Sequence, residues 1–201
     1  PMLHAQKFGC VRMRQSRDIV GREAGALRRL LSRFARNQDG VTAIEFGLLA
    51  LPFFTVILAT LQTAIMFLGM QVLDSAVEDA SRMVKTGRAQ SGGYTLSNFR
   101  TLLCGYTYNL FDCNQIKIKV AKITNFTSAT PNATVQTCSS STCTWTITEA
   151  FAGGAGRDII QVSAYYRWPL MIVMPYFNLK NQPDNYRLIS AIRVFRNEPF
   201  I

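Results

Sequence analysis

The sequence predicts an α+β protein in which a long N-terminal membrane-spanning helix packs on a small antiparallel β-sheet domain. Three observations carry this. No charged residue stands between Glu45 and Asp74, and roughly 20 apolar residues rising about 1.5 Å each are enough to cross a bilayer core. The helical period then outlasts the uncharged run. Val72, Leu73, Ala76, Val77, Ala80, Met83 and Val84 continue it, with Asp74, Glu78, Asp79, Arg82 and Lys85 opposite. Beyond Gly87 the pattern changes to short alternating runs of the kind that form half-buried strands. The chain therefore divides into residues 1–40, a basic leader, residues 41–88, the transmembrane and extended helix, and residues 89–201, an α+β domain.

The leader comes first. Through about Val20 it has no sustained periodicity and is expected to be disordered. Leu27, Leu30, Leu31 and Phe34 then recur at helical spacing among Arg28, Arg29, Arg33 and Arg36. Such a basic amphipathic stretch suits an inner membrane surface. The formal net charge of +10 is concentrated in this leader, against only Asp18, Glu23 and Asp39. Arginines flanking a span place the preceding segment in the cytoplasm. A nucleic-acid module would show a basic face with interleaved aromatics or a known motif; neither is present, so no nucleic-acid partner is expected. Nor does the leader read as a secretory signal, whose shorter apolar region is removed.

The span runs from about Phe46 to Met70. Pro52, lacking a backbone donor, is expected to kink or loosen it near its first turns. Thr60, Gln62 and Thr63 read as helix–helix contacts. Gly87 is a natural C-cap, so one helix of about 45 residues is expected.

The domain follows. Ser91-Gly92-Gly93 is a turn, and Ser97 caps a short helix through Leu103. Ile116, Ile118 and Val120 alternate with Lys117 and Lys119 as a strand. Thr124–Ser141, dense in Thr, Ser and Asn, reads as an exposed loop. A hairpin is expected next: Trp145 and Ile147 alternate with threonines, Ala152–Gly156 reverses the chain, and Asp158–Trp168 returns. Leu170–Phe177 is apolar but too short to span a bilayer, so it covers the core or forms an assembly surface. Leu188–Phe195 makes a last strand.

Cys10 lies in the leader, whereas Cys104, Cys113, Cys138 and Cys143 all follow the span. An even set beyond the membrane fits an oxidising compartment such as the periplasm. A four-thiolate zinc site is the weaker alternative, because no Cys-x-x-Cys pair exists. Closing short loops costs least entropy, which favours Cys104–Cys113 and Cys138–Cys143, each worth about 2–3 kcal/mol. Catalysis finds little support. His4 is the single histidine and stands in the leader, which removes Ser-His and Cys-His pairs. No phosphate-cradling glycine loop appears. Glu149, Asp158 and Asp112 come together only if folding happens to pair them. No enzyme activity, cofactor or metal is expected.

The stretch Gly40-Val-Thr-Ala-Ile-Glu-Phe46, a small residue followed by an acid and an aromatic at the mouth of a span, resembles the processing site of type IV pilin precursors. From Gly40 to about Gly87 the chain resembles the TadE-like pilus-assembly proteins, minor pseudopilins of tight-adherence (Flp-type) pili. The resemblance implies a pilin-like fold and cleavage by a prepilin peptidase between Gly40 and Val41. Glu45, with Phe46, would serve recognition and assembly by engaging an adjacent subunit. The implied partners are that peptidase, other pilins and pseudopilins, an inner-membrane assembly platform and membrane lipid. The implied place is a bacterial inner membrane, N-terminus cytoplasmic and C-terminal domain periplasmic, in support of pilus biogenesis and surface adhesion. The alternative is an unprocessed, single-pass anchored periplasmic scaffold or binding domain.

Overall fold

A computed structural model describes residues 40–130, 134–140, 142–171, 177–183 and 185–200. The basic leader with its amphipathic stretch, Cys10 and His4, and the middle of the Leu170–Phe177 segment, lie outside the described residues. The chain divides into two units after Thr55. In the first, the described part is the opening of helix α1 (Val41–Lys85), which runs through Pro52 without interruption. The expected loosening at Pro52 does not break the helix.

Among the described residues, the second unit holds the rest of α1, the short α2 (Arg88–Ser91), α3 (Leu96–Gly105) and six strands. Strands β1 (Lys117–Ile123), β4 (Ala150–Phe151), β5 (Ile159–Pro169) and β6 (Tyr186–Arg196) make one sheet in the order β4-β1-β5-β6. Strands β2 (Gln136–Cys138) and β3 (Cys143–Trp145) form a separate ribbon. The architecture is α+β and rich in antiparallel pairs, as expected.

The periodicity of α1 explains which face packs. Met66, Gly69, Leu73, Ala76, Val77, Ala80, Ser81 and Val84 are buried, recurring every three to four residues, with two adjacent pairs, on one side. Leu73, Ala76, Val77, Ala80 and Val84 form one core with Ile116, Ile118 and Val120 before and along β1, Ile160, Val162 and Ala164 of β5, and Ile189 and Ala191 of β6. Phe99 and Leu103 of α3 complete that core. Each Leu, Ile or Phe taken fully out of water contributes about 1.5–3 kcal/mol. Gly69 lets the sheet approach most closely: a Cβ there would stand 2.7 Å from the Trp168 ring. Further along, Arg193 of β6 reaches Asp74 at 2.6 Å and Glu78 at 3.4 Å. At the helix end Lys85 O accepts from Glu198 N at 2.9 Å. Gly87, with φ 79°, then turns the chain as the expected C-cap.

Two local expectations are corrected. The cap of α3 is Thr95, not Ser97. Its hydroxyl accepts from Asn98 N while Asn98 Oδ1 accepts from Thr95 N, a reciprocal box. The 145–168 hairpin does not form either. Trp145 ends the ladder with β2, Thr146 N and Ile147 N both donate to Val135 O, and β4 then joins β1 in parallel. The physical reason lies in β5, whose residues from Ile160 to Tyr166 are all buried. A strand buried on both faces requires a central place with long neighbours, here β1 and β6. The threonine-rich run cannot supply that apolar contact. Within the expected 124–141 loop, a short 3₁₀ turn (Phe126–Ser128) and β2 add order. Asn125 Oδ1 accepts from Ser128 N at 2.8 Å and so caps that turn.

Candidate functional site at the start of the long helix

Gly40 immediately precedes α1, and Val41 is its first residue. Glu45 follows one helical turn later, about 6 Å along the axis. Gly40, Val41, Glu45 and Phe46 are all exposed. Glu45 makes no ion pair or hydrogen bond with any described residue. A Cβ placed on Gly40 would meet nothing within 4 Å, and the same is true of Gly47. Neither has the left-handed backbone that favours glycine. The fold itself therefore does not require glycine at position 40.

Behind this opening the helix presents an uncovered apolar surface. Ile44, Phe46, Leu48, Leu49, Leu51 and Phe53 are each more than half exposed. An 18-residue window of α1 has mean hydropathy 2.1 and no buried share. Length and composition fit a helix that anchors the chain in a membrane. Three threonine hydroxyls along it bond their own helix. Thr55, Thr60 and Thr63 donate to the carbonyls of Leu51, Ile57 and Ala59 at 2.7–2.8 Å. Within the chain, the hydroxyls of Thr60 and Thr63 are thus bonded without a second helix.

The other predicted positions lie in the second unit. Cys104–Cys113 and Cys138–Cys143 are disulfide-bonded, with Cα–Cα separations of 5.9 and 4.0 Å. The first ties the end of α3 to the loop before β1; the second closes the β2–β3 ribbon. Beside the first bridge lies a cluster that sequence reasoning passed over. Arg100 donates to Cys113 O at 3.1 Å and Ile116 O at 2.6 Å, and pairs with Glu149 at 2.6 Å. Glu149 also holds Lys117 at 3.1 Å and accepts from Ile118 N at 3.1 Å. Burial would push the Glu149 carboxyl up, but the Ile118 N–H, Lys117 and Arg100 outweigh it and hold it below its ordinary value. No local signal reveals this cluster, because its members are 32 and 49 residues apart in the chain.

Asp158 and Asp112 have separate structural partners. Asp158 pairs with Lys122 at 2.8 Å and accepts from Ala155 N, and these two contacts lower its pKa. Asp112 accepts from Asn114 N and Gln115 Nε2. These partners place each acid in a turn or strand contact.

Comparison with known proteins agrees with the position of the exposed helix opening. Residues 40–82 match the family model described as TadE-like protein. No curated protein and no solved structure matches the chain.

Proposed function

We propose that this chain, which carries a TadE-like segment over residues 40–82, is a minor pseudopilin that assists assembly of a tight-adherence pilus. A prepilin peptidase cuts between Gly40 and Val41. The leader remains cytoplasmic, the helix stays in the inner membrane, and the disulfide-bearing domain occupies the periplasm before joining or supporting a surface pilus that mediates adhesion. The role is one of assembly rather than catalysis, with pilins, pseudopilins and the inner-membrane platform as partners.

One observation carries the reading most directly. Gly40 is exposed, and its own fold would tolerate a larger side chain, yet it stands five residues before the acid at the mouth of the apolar run. A small residue there answers an outside requirement, as the narrow pocket of a peptidase would impose. Cleavage creates a charged amine at Val41, one turn from Glu45. An ionised side chain deep in lipid costs about 2.5–3.5 kcal/mol, and an amine of the same or a neighbouring subunit offsets that cost.

N-terminal mass spectrometry of membrane-derived protein tests the reading. The mature chain should begin at Val41, and Gly40→Phe should accumulate as uncut precursor with unchanged domain stability. Mature protein that still carries Arg36 would reject processing here and favour the unprocessed anchored scaffold.

A further inference from the structure

The second unit has an end at which α1 first becomes buried, between Met66 and Gly69. Trp168 lies against Gly69 there. Phe111 packs on Trp168 at 5.6 Å and on Tyr166 at 4.9 Å between ring centroids. Trp168 pairs with Arg187 and Pro169 with Tyr186 across the β5–β6 ladder. Leu170 N then donates to Asn185 O at 3.1 Å. These contacts bring the 106–111 loop, the start of the 170–177 segment and the start of β6 to the same end. The opposite end is marked by Lys85, Glu198 and the Ile123–Ile159 pair.

Around the Trp168 end, large apolar and aromatic side chains point outward. Tyr108 is 85 % exposed and Met171 86 % exposed; Leu110 and Tyr186 are exposed as well. Tyr108 and the next residue, Asn109, adopt left-handed backbone with φ 52° and 58°. Non-glycine residues rarely accept that conformation, and this turn lies next to the outward-facing Tyr108 and Leu110. Asp112, the carboxylate beside this loop, is occupied by Asn114 and Gln115. Lys180 is exposed, and Arg187 donates to the adjacent Leu179 O at 2.8 Å.

The geometry points to a second membrane contact: the domain end formed by Tyr108, Leu110, Met171 and Tyr186 rests in the interfacial layer of the bilayer. This deepens the anchor reading and rests on it. The partner follows from continuity, because α1 is apolar and exposed up to Leu68 at this same end. A span ending near Met66–Gly69 leaves the rim at the level of the headgroups. Aromatic side chains with one polar end favour that layer, and Lys180 and Arg187 add attraction to anionic headgroups. Such a contact restricts tilting of the domain on its helix.

The test uses the full chain in liposomes of phosphatidylethanolamine and phosphatidylglycerol, with acyl chains brominated near the headgroup. Met171→Trp and Tyr108→Trp each add a reporter at an exposed position, and Trp145 and Trp168 emission is subtracted using the unaltered chain. Phe126→Trp, just beyond Ile123 at the other end, is the control. The emission added at 171 and 108 should fall more than twofold, and that at 126 should be nearly unchanged. Reporters no more quenched than the control, in protein that floats with the liposomes, would overturn the docking while leaving the anchor intact. Protein that does not float at all would overturn the anchor reading and the docking together.

Discussion

Residues 41–49 and 51–58 of α1 are exposed, whereas between Met66 and Val84 the helix buries one face in the sheet. The glycines mark the contrast. At Gly40 and Gly47 an added Cβ meets nothing, but at Gly69 it meets the Trp168 ring at 2.7, 3.0 and 3.1 Å. In the lower stretch, residue identity is set by what the chain packs against itself. In the upper stretch, residues 41–58, the chain's own packing does not set it. Substitutions that separate folding from function therefore have different expected signs in the two stretches.

The largest stability difference is expected between two leucines. Leu73→Ala opens a cavity against the sheet and should cost about 2–5 kcal/mol. Leu58→Ala removes an exposed side chain and should cost less than about 0.5 kcal/mol in detergent. Denaturant unfolding of the purified chain, followed by near-ultraviolet circular dichroism, compares them. Equal losses would break the contrast. A smaller effect is expected at the glycines. Gly69→Ala forces the rigid indole to shift and should cost about 1–3 kcal/mol. Gly47→Ala should be neutral or slightly stabilising, because alanine favours a helix by about 1 kcal/mol over glycine.

Acid titration sharpens the contrast from the domain side. Because the folded pKa of Glu149 is depressed, its contribution is present above the unfolded value of about 4.3. It is lost as pH falls through the lower folded value. Glu149→Gln should cost about 1–2 kcal/mol near neutral pH and show a shallower loss of stability below about pH 4. An unchanged acid slope would mean that Arg100 and Lys117 do not hold this carboxylate in solution. Asp158, held by Lys122 and Ala155 N, contributes to the remaining slope with the same sign.

The long helix, the core face of β1 and the two disulfides were legible because each depends on short-range pattern: helical period, alternation and loop length. What escaped depends on contacts that leave no local trace. Strand β4 has two residues and pairs in parallel with β1, so neither its length nor any turn announces it. The Thr95 cap uses Asn98 at the position where Glu or Gln is the familiar signal. Gly69 shows in sequence only as a small residue in an apolar run; its partner Trp168 is 99 residues away by position. At the helix opening the situation reverses. Gly40, Glu45 and Phe46 stand out in the sequence as a motif, yet no described tertiary contact accounts for them.

The smallest expected effect on folding is at Glu45, and there the two stretches differ most in function. Its carboxylate is exposed and has no described partner, so Glu45→Ala should leave unfolding of the domain unchanged. Insertion should become easier, because the polar interruption is gone and a group costing about 2.5–3.5 kcal/mol in lipid has been removed. If an amine at Val41 of the same or a neighbouring subunit pairs with Glu45, the variant should be inserted and cut yet fail to support a pilus. Precursor that remains uncut would place the role of Glu45 in peptidase recognition instead. Protein level, N-terminus and pilus formation measured in one strain separate these outcomes. Normal pili from a normally abundant, normally cut Glu45→Ala chain would reject any assembly role. The glutamate would then be a favourable charge at a helix N-terminus, dictated by its own helix like the residues of the lower stretch.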